Sequence, residues 1–399
     1  MFEVSDGGID QTRVLVLGVG GAGCNALSNL SDELSQYGWL VNLVAINTDA
    51  QALGCCRVEH KIQIGKRRTK GKGAGGKAAV GYEAALENSR EIKSLIESHD
   101  LIFLATNLGR GTGTGASPYI AKLAADLGKV CVACVGLPMT FGRPLKGDTA
   151  KALNYLRECA NSVIVLEQDR LMGHLGKSIT MENTLKYCDN LFGNTIHAVL
   201  KVIFETGKMN VDFADVMTIA RYHGNAIIAE VEFATVDELN QVLFGLFNHP
   251  VFQPINSKSI QGLMIALSGH EETLTLGVIE QVTDFAAEYL GEGVEVSPGV
   301  YFDNNQTGFK VMVMATGARA LEAGESNVAE SLEINEETTE RVNASIKNSL
   351  VGRSQLPDHG HFQDVTQDND RKDAERRQRT NGLTDDVDYI PAYLRRSGK

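Results

Sequence analysis

Gly109-Arg110-Gly111-Thr112-Gly113-Thr114-Gly115 follows the apolar run Leu101-Ile102-Phe103-Leu104-Ala105 and precedes a helical pattern that starts near Ser117. The order is strand, glycine segment, helix. Glycines lack Cβ and let the backbone approach a phosphate, the two threonines add hydroxyl donors, and the helix start aims unpaired N–H groups at the same place. A glycine-rich turn without a ligand is the plain alternative. Four glycines alternating with threonine at a strand-to-helix junction favour the anion site.

Upstream, Arg13-Val14-Leu15-Val16-Leu17 reads as a buried strand running into Gly18-Val19-Gly20-Gly21-Ala22-Gly23-Cys24-Asn25, with a helix expected from about Asn25 to Leu34. The next apolar run, Leu43-Val44-Ala45-Ile46, ends in Asn47-Thr48-Asp49-Ala50, a strand with polar groups at its carboxyl end. This βαβ opening fits a doubly wound sheet, which binds ligands at the carboxyl ends of its strands. From Lys61 to Gly81 the chain is basic and glycine-rich, including Gly73-Ala74-Gly75. Alone it could be a solvated loop; beside two other glycine segments, phosphate contact is the better reading.

Downstream, Val130 to Val135 and Val163 to Leu166 read as further strands. Phe192, Ile196, Val199, Leu200 and Ile203 keep helical spacing between Leu185 and Glu205, with Gly207 as a C-terminal stop, which predicts a long, largely buried helix. A loop through Asn210, Asp212 and Asp215 then opens a second α/β segment, with strands over 227–233, 262–267, 294–296 and 310–314. Past Thr316 the periodicity fades, and polar residues dominate from Asn335 through Asp386, the composition of a disordered linker. Asp388-Tyr389-Ile390-Pro391-Ala392-Tyr393-Leu394-Arg395-Arg396 then gathers apolar anchors and two cations, the form of a short peptide that folds onto a partner; an inert terminus is the alternative.

The 399 residues are enough for two domains, or one large one with tails. A net charge of −12 and a pI near 5.3 argue against a general nucleic-acid binder. No apolar run reaches the roughly eighteen residues of a membrane span, and Met1 to Asp6 lacks the parts of a signal peptide, so the expected location is the cytoplasm without membrane insertion. Seven cysteines, an odd number in mostly apolar or helical contexts, read as reduced thiols. Cys131 and Cys134 form a C-x-x-C, but on a strand such positions point to opposite faces, and a second ligand pair is missing, which argues against zinc or redox chemistry.

Gly18-x-Gly20-x-x-Gly23 after a strand also fits a dinucleotide fingerprint, so an NAD-dependent oxidoreductase is one reading. That reading leaves Gly109–Gly115, the basic glycine loop and the Asp212/Asp215 pair without a role. A single nucleoside triphosphate site lined by several strand-end loops unites the glycine segments.

Gly18–Leu27, Asn47–Leu53, Thr69–Gly75, Gly109–Pro118 and Met209–Val216 resemble, in order and approximate spacing, the tubulin/FtsZ superfamily and its bacterial cell-division branch, over most of the first 317 residues. The resemblance implies a Rossmann-like α/β GTPase domain (12–184) after an N-terminal arm (1–11), a long central helix (185–207) and a second α/β domain (208–317). A disordered linker (318–386) and a partner-binding peptide (387–399) would follow. Gly20, Gly21, Ala22, Asn25, Gly109, Gly111, Thr112, Gly113 and Thr114 would cradle the phosphates of GTP or GDP, and Asp49, Gly73, Ala74, Gly75, Arg110, Gly115, Lys146, Gln168 and Asn190 would complete the nucleotide site. Asp212 and Asp215, assisted by Asn210, would polarise the attacking water on the γ-phosphate of the next subunit, with Mg2+ offsetting the triphosphate charge. From the residues alone, the two aspartates could equally cap the helix after Phe213. The implied partners are further copies of the chain, head to tail, and membrane-tethering division proteins at Asp388–Arg396, at the mid-cell division site.

Several positions depart from the family pattern. Arg110 replaces a glycine and could clash with phosphate or bind it. Lys77-Ala78 stands for Asn-Pro, and Gly142 for a ribose-binding glutamate, with Lys146 for the arginine that follows it. Gln168-Asp169 stands for Asn-Asp, and Asn190 for an aspartate that reads the guanine edge; an amide offers one acceptor oxygen where a carboxylate offers two. These departures fit a divergent paralogue, either hydrolysing slowly or co-assembling without catalysis.

Overall fold

The computed structural model describes residues 12–140, 143–175, 180–205, 209, 211–249, 252–290, 293–304 and 306–321. The N-terminal arm, Gly142, Gly207, Asn210, residues 322–386 of the linker and the peptide Asp388–Arg396 lie outside the described residues.

The protein is a mixed α/β molecule built on one ten-stranded sheet. The strands are β1 (Val14–Val19), β2 (Val41–Asn47), β3 (His60–Gln63), β4 (Leu101–Asn107), β5 (Val130–Leu137), β6 (Ser162–Glu167), β7 (Gly224–Phe233), β8 (Gly262–Gly269), β9 (Glu295–Phe302) and β10 (Phe309–Ala318), in the spatial order β3-β2-β1-β4-β5-β6-β7-β10-β8-β9. Helices α1 (Gly20–Leu34), α2 (Ala50–Cys55), α3 (Lys66–Thr69), α4 (Ala78–Glu87), α5 (Ser89–Glu97), α6 (Gly111–Asp126), α7 (Gly147–Cys159) and α8 (Gln168–Leu175) belong to the first half. The long α9 (Met181–Phe204) leads to α10 (Phe213–Ala220), α11 (Leu239–Phe247) and α12 (Leu276–Phe285).

The strands from β3 to β6 run parallel, which requires crossover connections, and β1, β4, β5 and β6 are buried on both faces. Alternation then feeds two cores: Val14 and Val16 of β1 enter one, Leu15 and Leu17 the other. Cys131 and Cys134 fall into these opposite cores, so they cannot share a ligand. β6 and β7 share two residue pairs, Ser162 with Gly224 and Val163 with Asn225, and β6 meets the second half again at the Leu166–Phe252 bridge, where the Gln253 N–H donates to the Val165 carbonyl at 3.0 Å. Beyond that joint β10 runs antiparallel to β7 and β8, while β8 and β9 are parallel.

α9 begins earlier than its apolar spacing predicts because Thr180 caps it, its hydroxyl accepting the Asn183 N–H at 3.2 Å. Phe192, Ile196, Val199 and Leu200 are buried, as the spacing predicts. No helix among the described residues is long and apolar enough to cross a membrane.

Candidate functional site

The parallel strands β1, β2, β4, β5 and β6 end on one edge of the sheet, and the chain turns into helices there. β1 passes directly into α1, with Val19 extended and Gly20 at φ +77°. Only glycine takes this backbone shape readily, and a methyl group at Gly20 would lie 3.1 Å from the Gly113 nitrogen. The first turns of α1 and α6 are therefore side by side. Neither helix has a side-chain cap, so their first N–H groups and positive dipole ends face this edge. Gly21 and Asn25 are exposed, Ala22 is half-buried, and nothing lies within 4 Å of a methyl placed on Gly21.

The segment 109–115 is not the loop its composition indicated. Gly109, at φ +97°, makes the turn against Pro138; Arg110 is the exposed, extended N-cap residue, and α6 starts at Gly111. The alternating glycines let α6 pack closely: a methyl at Gly113 would overlap the Asn107 carbonyl, and one at Gly115 the Ala78 carbonyl of α4. The threonine hydroxyls are engaged within the protein. Thr112, 8 % exposed, shares a 2.7 Å hydrogen bond with Thr48 at the end of β2, and Thr114, 2 % exposed, accepts the Gly109 N–H at 2.9 Å.

The basic glycine loop reaches the same place. The Gly73 N–H donates to the Thr48 carbonyl at 3.3 Å, and buried Ala74 lies against Gly111. Gly75, at φ +58°, faces open space. Asp49 caps α2, its Oδ1 accepting the Gln51 and Ala52 N–H groups at 2.9 and 3.1 Å.

At the other end of this cradle, Lys146 is the exposed N-cap residue of α7 and Gln168 begins α8. Gln168 is buried, and its Nε2 finds no hydrogen-bond partner among the described residues. Asn107, on the last position of β4, likewise buries an unpartnered Oδ1, packed against Gly136. Sequence reasoning passed over Asn107; a polar residue closing an apolar strand was its available signal. Asn190 is half-buried on α9, two residues before Phe192, whose ring lies beside Gly136. Asp169 fastens the segment after β5 by accepting the backbone N–H and hydroxyl of Thr140. Next to Asn190, burial pushes the Asp189 carboxyl up to about 7.

Asp212 and Asp215 lie elsewhere. They form a reciprocal capping box on α10: Asp212 Oδ1 accepts the Asp215 N–H at 2.8 Å, and Asp215 Oδ2 accepts the Asp212 N–H at 3.1 Å. The middle of α9 passes Gly136 at the cradle edge through Phe192, and its last residue, Phe204, packs at a tilt against Tyr37, just before β2 begins. α10 ends at Ala220, whose carbonyl accepts the hydroxyl of Ser162 at the start of β6. The chain on either side of the acid pair, Phe204 before it and Ala220 after it, is thus held at the strand-start edge, away from the cradle.

The cradle fits an anionic nucleotide: uncapped helix starts for phosphate, and an unpartnered buried donor and acceptor beyond them. No group of three or more His, Cys, Asp or Glu among the described residues is placed to hold a metal ion. The family model of the tubulin/FtsZ GTPase domain matches residues 13–176. The cell division protein FtsZ of Aquifex aeolicus is 30% identical over 310 residues, 77% of this chain and 83% of that protein. That of Coxiella burnetii is 30% identical over 330 residues, 82% and 84% of the two chains. A solved FtsZ dimer of M. jannaschii superposes with a TM-score of 0.66 at 28% identity, covering 82% of this chain and 94% of that one. With these identities over most of both chains and this superposition, the chain belongs to the tubulin/FtsZ family of GTPases.

Proposed function

We propose that the chain is a GTP-dependent, filament-forming GTPase that assembles the division ring and hydrolyses GTP at the junction between subunits. The observation that carries this reading is the placement of the chain flanking Asp212 and Asp215 at the strand-start edge, away from the cradle. The two sets meet only when one subunit's acid edge sits on the cradle of the next. Such a heterologous contact does not close, so it propagates a filament.

GTP would supply the γ-phosphoryl group for transfer to water, and Mg2+ would offset the triphosphate charge. The N–H groups of Gly20–Ala22 and Gly111–Gly113, with Asn25 and Gly73–Gly75, bind and orient the phosphates. Gln168, Asn107 and Asn190 supply amide donors and acceptors to the nucleoside, with Lys146 at its margin. Asp212 and Asp215, assisted by Asn210, orient the attacking water and accept its proton, using carboxylate lone pairs beyond those their capping box occupies. Membrane-tethering proteins would take the peptide Asp388–Arg396 at the mid-cell division site in the cytoplasm.

A slow or non-catalytic relative that co-assembles with a true FtsZ is the second reading. Arg110 favours it, an exposed cation at the N-cap of α6 where the phosphates would bind. Purified protein incubated with GTP, GDP or ATP, with sedimentation and phosphate release read in one tube, separates the two. The first reading expects pelletable filaments and phosphate with GTP and magnesium, a result that excludes the second; GTP binding without phosphate release selects the second, and absence of GTP binding defeats both. Asp212→Ala should keep nucleotide binding and lose hydrolysis. Normal hydrolysis by that variant would sink the acid-pair assignment.

A further inference from the structure

Residues 61–77 hold seven Lys or Arg and no Asp or Glu, on a chain whose net charge is −12. All seven cations are exposed, and among the described residues Arg68 alone of them forms a salt bridge, with Glu83. The surface is built rather than loose. The Arg67 and Arg68 N–H groups donate to the Glu87 carboxylate, the buried Thr69 hydroxyl donates to the Thr48 carbonyl at 3.2 Å, and the Ala50 N–H donates to the Gly71 carbonyl at 3.0 Å. Lys61 lies on the edge strand β3, and Lys66 and Arg67 open α3, ahead of the Gly73–Gly75 segment that abuts α6. Clustered like charges repel one another, and an anion spanning the surface relieves that repulsion.

The chain carries a matching anion. Between 322 and 340 it holds seven glutamates, with no Lys or Arg before Arg341. The described chain leaves from the strand-start edge: Ala318 pairs with Asn225, which pairs with Val163 near the beginning of β6, and the Leu321 N–H donates to the Pro254 carbonyl at 3.0 Å. The basic surface sits at the cradle edge, because the carboxyl end of β3 feeds it, Gln63 standing beside Asn47. From β10 to β3 is seven strand spacings, about 34 Å, whereas nineteen extended residues reach about 60 Å. Within one molecule the segment would also have to climb the full height of the strands; across a head-to-tail junction it starts level with the neighbour's cradle.

We infer that the acidic segment 322–340 of one subunit docks on the basic surface 61–77 of the next, a second tie across the junction beside the nucleotide. This rests on the head-to-tail filament proposed above. The test uses the full chain with its seven glutamates between 322 and 340 changed to Gln, and a fluorescein-labelled peptide of native sequence 322–340. Fluorescence anisotropy should show the peptide binding this chain, about tenfold more weakly when salt is raised from about 50 to about 300 mM. Adding Lys66→Glu and Arg67→Glu should weaken it by at least about tenfold. No binding, or equal binding to the reversed surface, overturns the docking, as does a single-stranded oligonucleotide that binds the surface where the peptide does not.

In the unaltered chain with GTP, zero-length carbodiimide should join Lys66 or Lys70 to glutamates of 322–340 and give a ladder of dimers and higher species. Cross-links confined to monomers overturn the between-subunit form. GTP binding and sedimentation on the same samples separate the two layers. Sedimentation without peptide docking removes this inference and leaves the filament; loss of both nucleotide binding and sedimentation removes the filament reading and this inference with it.

Discussion

Gly21 and Gly115 belong to similar glycine segments and have different surroundings. A methyl at Gly115 meets the Ala78 carbonyl and the Tyr82 nitrogen of α4; one at Gly21 meets nothing within 4 Å. Gly115→Ala should therefore destabilise the fold by about 1–3 kcal/mol, seen by denaturant unfolding, without a specific loss of GTP affinity in the folded fraction. Gly21→Ala should leave the unfolding midpoint within about 0.5 kcal/mol of the parent while weakening GTP binding by titration. Asp212 permits a similar separation. Asparagine caps a helix nearly as well as aspartate, so Asp212→Asn should keep the melting temperature and abolish phosphate release, whereas Asp212→Ala should also lose about 1 kcal/mol of stability. Sequence shows the residue types of these sites but not which glycine meets a ligand and which meets backbone. That depends on the side of α6 facing β4 and α4, which glycine, having no side chain, leaves unmarked in the apolar pattern.

The elements were legible where apolar spacing runs long. The five strands β1, β2, β4, β5 and β6 and the core of α9 stand where their Val, Ile, Leu and Phe residues place them. Helix starts were not. α1 begins at Gly20 and α6 at Gly111, several residues before the periodicity becomes visible, because glycine's weak helix propensity hides a turn that close packing requires. β3 escaped notice because its residues are exposed or half-buried on the sheet edge, with no apolar alternation to show. On α9, Asp189 gives a pH test. Its folded carboxyl holds its proton up to about 7 against an ordinary 3.8, so the stability from this group is full below about 3.8 and is lost as pH rises through about 7. Asp189→Asn removes that loss. The variant should melt roughly a few degrees above the parent at pH 8, with the margin closing toward pH 4, in thermal scans across that range.

At the scale of the whole molecule, the doubly wound opening and the C-terminal α/β segment were readable, yet their fusion into one sheet was not. Two residue pairs between β6 and β7 leave no signature in composition or period. The separation of cradle and acid pair was implied by the family resemblance alone, since it comes from the direction α9 runs across the molecule rather than from the residues of either motif. A ligand that binds only the folded form stabilises it, so GTP at a hundredfold excess over its Kd should add about 2.7 kcal/mol to unfolding, and ATP much less; calorimetric scans with each nucleotide check this. The narrow joint has a mechanical side as well. In the proposed head-to-tail filament, tension would enter one half of each subunit through the cradle and leave through the other, and it would have to cross the short β6–β7 pairing and the Leu166–Phe252 bridge beside it. α9, touching α1 on one side and β7 on the other, lies alongside that seam as a strut. Under load the sheet should yield there first, with each half intact and the strut still bridging them, so that a subunit lengthens before it unravels.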